Sequence, residues 1–123
     1  MCIQKICDRG WIYSEVEDYN LALADFSEAI KIAPKETMPY EYRINLYESL
    51  LQYDKAENDY RTLLSIKDSV DYKLELATVL VYQDKTEEAL NMLDKIIKYQ
   101  PNLVSPYALR AWINAMAGNS QAA

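Results

Sequence analysis

The chain repeats one pattern at a spacing of 34 and then 33 residues, and this spacing constrains its fold more than any other feature. Alanine marks the repeat, since Ala22 is followed by Ala56 and then by Ala89. Large apolar residues follow each alanine at steps of three and four, which an α-helix brings onto one face. A period of this length is typical of stacked structural repeats that share a continuous core.

Each repeat accommodates two helices separated by a polar turn. In the second helix of the first repeat, four apolar residues share one face: Ala22, Phe26, Ala29 and Ile30. Pro34 and Pro101 follow second helices and are expected to end them, because proline cannot continue the hydrogen-bond ladder. Thr37 and Ser105 precede the next first helices and are predicted to be their N-caps.

The pattern resembles the tetratricopeptide repeat. The first repeat carries the resemblance on six residues: Gly10, Tyr13, Ala22, Phe26, Ala29 and Pro34. The later repeats are less regular but in phase, so the resemblance covers nearly the whole chain. It implies an all-α fold, a right-handed α-solenoid of antiparallel helix hairpins with about three units plus one extra helix, or about seven helices. Another helical-hairpin solenoid is the alternative.

The repeat boundaries predict a single domain over residues 1–123, with units at 3–36, 37–69 and 70–103. Residues 104–123 are a partial fourth unit or a capping helix. A cap should be polar on its outer side, whereas this segment contains Leu109, Trp112, Ile113 and Met116, more apolar groups than one buried stripe needs. This composition favours a piece of a longer repeat array.

Composition narrows the function. The chain has 19 acidic and 13 basic residues, a net charge of −6 and no histidine. The acidic balance argues against nucleic acid and against anionic membranes as partners. Without histidine, the usual general base and the commonest metal ligand are missing. The close acidic pairs, such as Asp68 with Asp71, are expected at turns and helix starts. We therefore expect no catalysis, no cofactor and no bound metal.

The N-terminal residues 1–9 are interrupted by charge and contain no apolar stretch of signal-peptide length. No apolar run is long enough for a membrane span. These features predict a cytoplasmic protein. Cys2 and Cys7 lie five residues apart, on different faces of a helix, and are expected to be reduced thiols.

The resemblance implies that the first helices line a concave surface that binds a partner. Eleven positions not used for packing are predicted to contact it: Cys7, Trp11, Ser14, Glu41, Tyr42, Asn45, Glu48, Leu74, Thr78, Ala108 and Trp112. Trp11 and Trp112 occupy the same phase of the first and last units. Aromatic anchors beside carboxylates suit a protein or peptide with apolar and basic side chains. Simple packing of Trp11 against a neighbouring hairpin is the alternative.

These observations predict a non-enzymatic scaffold for protein–protein interaction. Relatives that clamp the acidic tails of heat-shock chaperones use lysine, arginine and asparagine on this surface. Here only Asn45 matches, while Cys7, Glu41 and Leu74 have different chemistry, so that activity is not expected. The alternative function is a self-assembly module, or a fragment of a longer repeat protein, that forms a homo-oligomer through its terminal helices.

Overall fold

Every predicted repeat forms a pair of helices. The computed structural model describes residues 3–122, and the side chains of residues 3–117. Within that range the chain forms seven α-helices: α1 (Ile3–Glu15), α2 (Tyr19–Ile32), α3 (Met38–Ser49), α4 (Tyr53–Ile66), α5 (Val70–Tyr82), α6 (Thr86–Tyr99) and α7 (Val104–Ala122). No strand occurs among residues 3–122. The predicted all-α fold class is confirmed.

The helices divide into two compact units at Lys67 and Asp68. In the first unit, α1 packs against α2 and α3 against α4, and α3 also contacts α1 and α2. In the second unit, α5 packs against α6, and α7 contacts both. The boundary lies at the connection predicted between the second and third repeats. The single domain over residues 1–123 stays a prediction.

The same backbone motif closes all three hairpins. The turn residues Glu17, Leu51 and Asp84 have φ angles of 65°, 60° and 63°. The next amide in each turn donates to the carbonyl five residues earlier: Asp18 to Tyr13 (2.8 Å), Gln52 to Tyr47 (2.8 Å) and Lys85 to Leu80 (2.9 Å). Left-handed backbone of this kind usually takes glycine. The polar breaks seen in the sequence therefore share one turn geometry, although none of them contains glycine.

The predicted N-caps are only partly correct. Thr37 is the N-cap residue of α3, but its side chain makes no capping hydrogen bond. The prediction for Ser105 is wrong because α7 begins one residue earlier, at Val104. Pro106 lacks an N–H, but it lies in the first turn, where no intrahelical partner for that group exists. Ser69, which the sequence analysis missed, caps α5 by accepting a hydrogen bond from the Tyr72 amide at 3.5 Å.

Phe26 is the core anchor of the first unit. Its side chain is buried and packs with Ala22 and Leu46. A Cβ atom added to Gly10 would lie 2.7 Å from the Phe26 ring, so only glycine allows α1 and α2 to approach this closely. The ring also stacks on Tyr42 of α3, with centroids 5.6 Å apart and planes 7° apart. Phe26 therefore joins three helices.

In each of the first two hairpins, a buried aspartate on the second helix pairs with an arginine on the first helix. These ion pairs were not predicted from the sequence. The guanidinium of Arg9 donates two hydrogen bonds to Asp25, at 2.8 and 2.9 Å. Thirty-four residues later, Arg43 donates two to Asp59, at 2.6 and 2.7 Å. The equivalent positions of the third hairpin hold Leu76 and Met92. The hairpin can therefore be built with either an ion pair or two apolar residues.

We expect Arg43→Leu to lower the free energy of unfolding by about 3 kcal/mol, because the buried Asp59 carboxylate loses its partner. The side chains of Arg43 and Asp59 are only 19% and 6% exposed, so water cannot readily replace the guanidinium. Adding Asp59→Met reproduces the pair of the third hairpin and should restore most of the loss. Chemical denaturation measures both changes.

Arg110→Leu is the control for these variants. Its pair with Asp94 is exposed and should contribute less than about 1 kcal/mol. A double Arg43→Leu, Asp59→Met variant no more stable than Arg43→Leu alone would contradict the equivalence of the two kinds of hairpin.

Candidate functional site

A cleft opens between α1 and α3 in the first unit, with a volume of about 180 Å³. It is lined by residues from three helices: Trp11, Ser14 and Glu15 of α1, Phe26 of α2, and Tyr42, Asn45, Leu46 and Ser49 of α3. We call it the α1–α3 cleft. A shallow depression of about 240 Å³ adjoins it on α3, where Met38 and Glu41 join the shared residues Tyr42 and Asn45.

The floor of the α1–α3 cleft is held in place by the core. Phe26 and Leu46 are buried, and the Tyr42 ring stacks on Phe26. Trp11 lies at the opening, with 51% of its surface exposed. The alternative that Trp11 simply packs against a neighbouring hairpin therefore accounts for only the buried half of its surface. An exposed indole beside a rigid aromatic floor is typical of an interaction site.

The charged residues of the cleft are acidic. Glu15 lines the cleft itself, Glu41 lines the adjoining depression, and no lysine or arginine is among the residues that line either. The arginines of α1 and α3 face elsewhere, because Arg9 is paired with Asp25 and Arg43 with Asp59. The surface consequently combines aromatic rings, carboxylates and neutral polar groups.

Arg43 is held on the far side of α3 by several partners. Besides Asp59, it donates a hydrogen bond to the Ser27 hydroxyl at 3.2 Å, and its guanidinium lies over the rings of Tyr40 and Tyr47, at 5.9 and 5.7 Å from their centroids. The hydrogen bond to Asp59 raises the pKa of Arg43 above its ordinary value, against the opposing effect of burial. This cation is therefore fixed and charged, and it does not line the cleft.

The second unit has different chemistry at the equivalent positions. Tyr82 and Trp112 occupy the places that Glu15 and Asn45 hold in the first unit. Their rings meet edge to face, with centroids 6.3 Å apart and planes 73° apart. An aromatic contact thus takes the place of the polar groups that line the α1–α3 cleft.

The remaining predicted residues of the second unit lie on α5 and α7. Leu74 and Thr78 are half-buried, and the Thr78 hydroxyl donates to the Leu74 carbonyl at 3.1 Å. Ala108 is exposed, and Trp112 is 38% exposed. Their contact with a partner stays a prediction.

Five of the predicted residues come together in the first unit. Trp11 and Ser14 line the α1–α3 cleft, Glu41 lines the depression, and Tyr42 and Asn45 line both. Besides the buried floor residues Phe26 and Leu46, the predicted set omitted Glu15 and Ser49. A spacing rule could have found each of them, since Glu15 follows Trp11 by four residues and Ser49 follows Asn45 by four, a separation that shares a helix face.

Cys7 was wrongly predicted to face a partner. It is fully buried in a cluster with Ile6 and Ala29, against which Met38 and Tyr42 also pack. The reason is that α1 is covered by α2 and α3 together, so its buried face is wider than the pattern of one hairpin indicates. The thiol is a core group of the first unit.

Glu48 also differs from its predicted orientation. Its carboxylate accepts a hydrogen bond from the Tyr60 hydroxyl at 2.9 Å. Tyr60 belongs to α4, so this acid ties the second hairpin together on the side where α3 meets α4. Its contribution to a partner-binding surface is correspondingly reduced.

We expect the Cys7 thiol of a Cys2→Ser variant to resist iodoacetamide until the chain unfolds. Burial, and then the charges of Asp8 and Asp25, raise the pKa of Cys7, so the reactive thiolate is disfavoured in the folded state. Because the neutral form is the stabilised one, this group should cost no stability below its ordinary pKa and should lower stability as the pH rises above it. Mass spectrometry along a denaturant series measures the labelling.

A Cys7→Ala variant is the control for the pH dependence, since it removes the titrating group. Rapid alkylation of Cys7 under native conditions would contradict its burial.

The part of the chain that the structure describes contains neither a metal-binding cluster nor a membrane-spanning helix. In residues 3–122, no three acidic, cysteine or histidine side chains approach closely enough to hold a metal ion. None of the helices in the same range combines the length and the apolar character needed to span a bilayer. The expected lack of catalysis and the cytoplasmic location stay predictions.

Comparisons with known proteins agree with the repeat. The family profile described as "Tetratricopeptide repeat" matches residues 6–36. A curated relative, small glutamine-rich tetratricopeptide repeat-containing protein 2 of Saccharomyces cerevisiae, is 34% identical over 82 residues. The match covers 66% of this chain and 24% of the relative, so the chain spans about a quarter of that protein's length.

Solved structures match over most of the chain. The first TPR of Spaghetti (RPAP3), bound to the HSP90 peptide SRMEEVD, has a TM-score of 0.73 at 16% identity, over 94% of this chain and 93% of that one. The TPR2B domain of yeast Sti1 in complex with pHsp70 has a TM-score of 0.71 at 19% identity, over 93% and 97%. A tetratricopeptide repeat protein from Parabacteroides merdae has a TM-score of 0.72 at 24% identity, over 95% and 46%. At these identities the structural likeness shows the fold.

Proposed function

Since the chain is a helical-repeat protein of the tetratricopeptide type, we propose that it is a non-enzymatic interaction module whose α1–α3 cleft binds an extended segment of a partner protein. The observation that carries the proposal is the exposed Trp11 at the opening of a preformed cleft. A few residues contribute most of the binding energy at protein interfaces, and tryptophan is enriched among them. Because Phe26 and Leu46 already hold the floor in place, binding orders little of the scaffold.

The structural neighbours support a peptide as the ligand. The first TPR of Spaghetti (RPAP3) is bound to an HSP90 peptide, and the second TPR domain of human RPAP3 is in complex with an HSP70 peptide. Both peptides end in the acidic sequence EEVD. The α1–α3 cleft carries Glu15 and adjoins Glu41, so like charges would oppose such an ending here. A segment with apolar and basic side chains fits this surface better.

A displayed library of random peptides tests the proposal. Peptides selected on the parent chain are expected to lose at least tenfold in affinity for Trp11→Ala, a loss typical of an interface anchor, about 1.4 kcal/mol or more. The same peptides should bind Trp112→Ala with little change, because Trp112 is at the same phase but in the second unit. Fluorescence anisotropy with labelled peptides measures both affinities. Peptides that bind Trp11→Ala and the parent chain equally would remove the α1–α3 cleft as the site.

Self-assembly is the second candidate function, and α7 is the observation that favours it. Its exposed residues up to position 117 include Val104, Ala108, Ala111, Trp112 and Met116, and Arg110 is its one charged residue in that range. Ala111 has the phase of Gly10 and Ala77, which are buried where first helices meet second helices. An exposed apolar helix face of this kind is typical of an interface.

If α7 mediates assembly, the sedimentation coefficient should rise with protein concentration, and Met116→Lys should reduce that rise by placing a charge on the exposed face. Glu87→Lys is the control, because it adds a lysine at an exposed position on α6. Sedimentation velocity over a hundredfold concentration range measures the effect. A concentration-independent monomer would count against assembly and would leave the peptide-binding proposal intact.

A further inference from the structure

We infer that the α1–α3 cleft selects an arginine side chain of its partner, whose guanidinium stacks on Trp11 and pairs with the Glu15 carboxylate. The inference rests on the proposed function and names the partner chemistry of the same site. It follows from the charge of the cleft, the donors and acceptors that line it, and the way this chain surrounds its own arginines.

The charge of the cleft disfavours an acidic anchor. Of the residues that line it, Glu15 is the charged one. Arg9 and Arg43 are turned away and held by buried aspartates. Lys5 lies six residues before Trp11, a separation that places it on a different face of α1. A cation that enters the cleft therefore meets a carboxylate without competition from a neighbouring basic residue of these helices.

The lining groups match guanidinium better than ammonium. Guanidinium is planar and has five N–H donors, so it can stack on an indole while its edge donates hydrogen bonds. The acceptors available are the Glu15 carboxylate, the Asn45 side-chain oxygen and the Ser49 hydroxyl, whose proton is already donated to the Asn45 carbonyl at 2.9 Å.

The chain already builds this arrangement twice with its own arginines. Arg43 lies over two tyrosine rings and is paired with Asp59. Arg110 lies over the Tyr107 ring, 5.4 Å from the centroid, and is paired with Asp94 at 3.3 Å. The α1–α3 cleft presents the same aromatic and carboxylate groups, but no arginine or lysine lines it. The partner would supply the missing cation.

Arginine binding of this kind is expected in the first unit and not in the second. There, Tyr82 and Trp112 replace Glu15 and Asn45 and contact each other. No carboxylate stands at that position, so the second unit should not bind arginine in this way. Because the chain has only two tryptophans, Trp112 is a built-in reference for Trp11.

The test uses N-acetyl-arginine amide as the probe and N-acetyl-citrulline amide as its uncharged counterpart of the same shape. The two indole N–H signals of the ¹⁵N-labelled chain are assigned with a Trp112→Phe variant. We expect the arginine probe to shift the Trp11 signal in a saturable manner and to leave the Trp112 signal in place. The citrulline probe should bind at least about fivefold more weakly, because it keeps the stacking but loses the charge.

Glu15→Gln should weaken binding of the arginine probe about threefold to fivefold, as expected for a solvent-accessible ion pair. Glu28→Gln is the matched control, since Glu28 is an exposed acid on α2 that does not line the cleft. Equal binding of the arginine and citrulline probes, or no effect of Glu15→Gln, would overturn the inference.

Selection from the displayed peptide library distinguishes arginine recognition from peptide binding in general. Selected peptides that depend on Trp11 and contain arginine support both. Peptides that depend on Trp11 and bind equally well after their arginine is replaced by citrulline overturn arginine selection and retain the cleft. Peptides that do not depend on Trp11 overturn both.

Discussion

The contact between Phe26 and Gly10 determines the geometry on which the rest of the first unit depends. Because position 10 lacks a side chain, the Phe26 ring lies directly against α1 and brings α2 close to it. The same ring stacks on Tyr42, which positions α3. The distance between α1 and α3, and hence the width of the α1–α3 cleft, follows from these two contacts. A site formed by three packed helices is better preorganised than one formed by loops.

The buried aspartates determine the charge of the surface. The Arg43–Asp59 pair contributes little net stability over apolar groups of similar size, because both ions must leave water. In the other pair Arg9 is 57% exposed, so the attraction to Asp25 is weakened by solvent. The third hairpin, with Leu76 and Met92 at these positions, forms without such an ion pair. The main effect of Asp25 and Asp59 is therefore to fix the positions of the two arginine side chains. They hold the arginines of α1 and α3 against the second helices, so that the α1–α3 cleft keeps its acidic character.

The two units show how one backbone pattern supports different surfaces. Their hairpin turns all contain a residue with left-handed backbone at the same position and the same amide-to-carbonyl hydrogen bond. Yet the positions that carry Glu15 and Asn45 in the first unit carry Tyr82 and Trp112 in the second. Packing constrains the residues between helices, whereas these exposed positions of the first helices differ between the two units. Binding specificity in such a fold resides in a few side chains on a shared framework.

The repeat, the helix pairs and the core position of Phe26 could be predicted from the sequence alone, because a periodic pattern places residues on the faces of a single helix without reference to neighbouring helices. It also predicted that Trp11, Tyr42 and Asn45 lie on the unpacked faces of the first helices, and all three line the α1–α3 cleft. Tertiary structure decided the rest. Cys7 is buried because two other helices cover α1, Glu48 turns towards Tyr60 of the next helix, and Arg9 pairs with Asp25 sixteen residues away. Each of these depends on which side chains from different helices meet, and spacing within one helix does not contain that information.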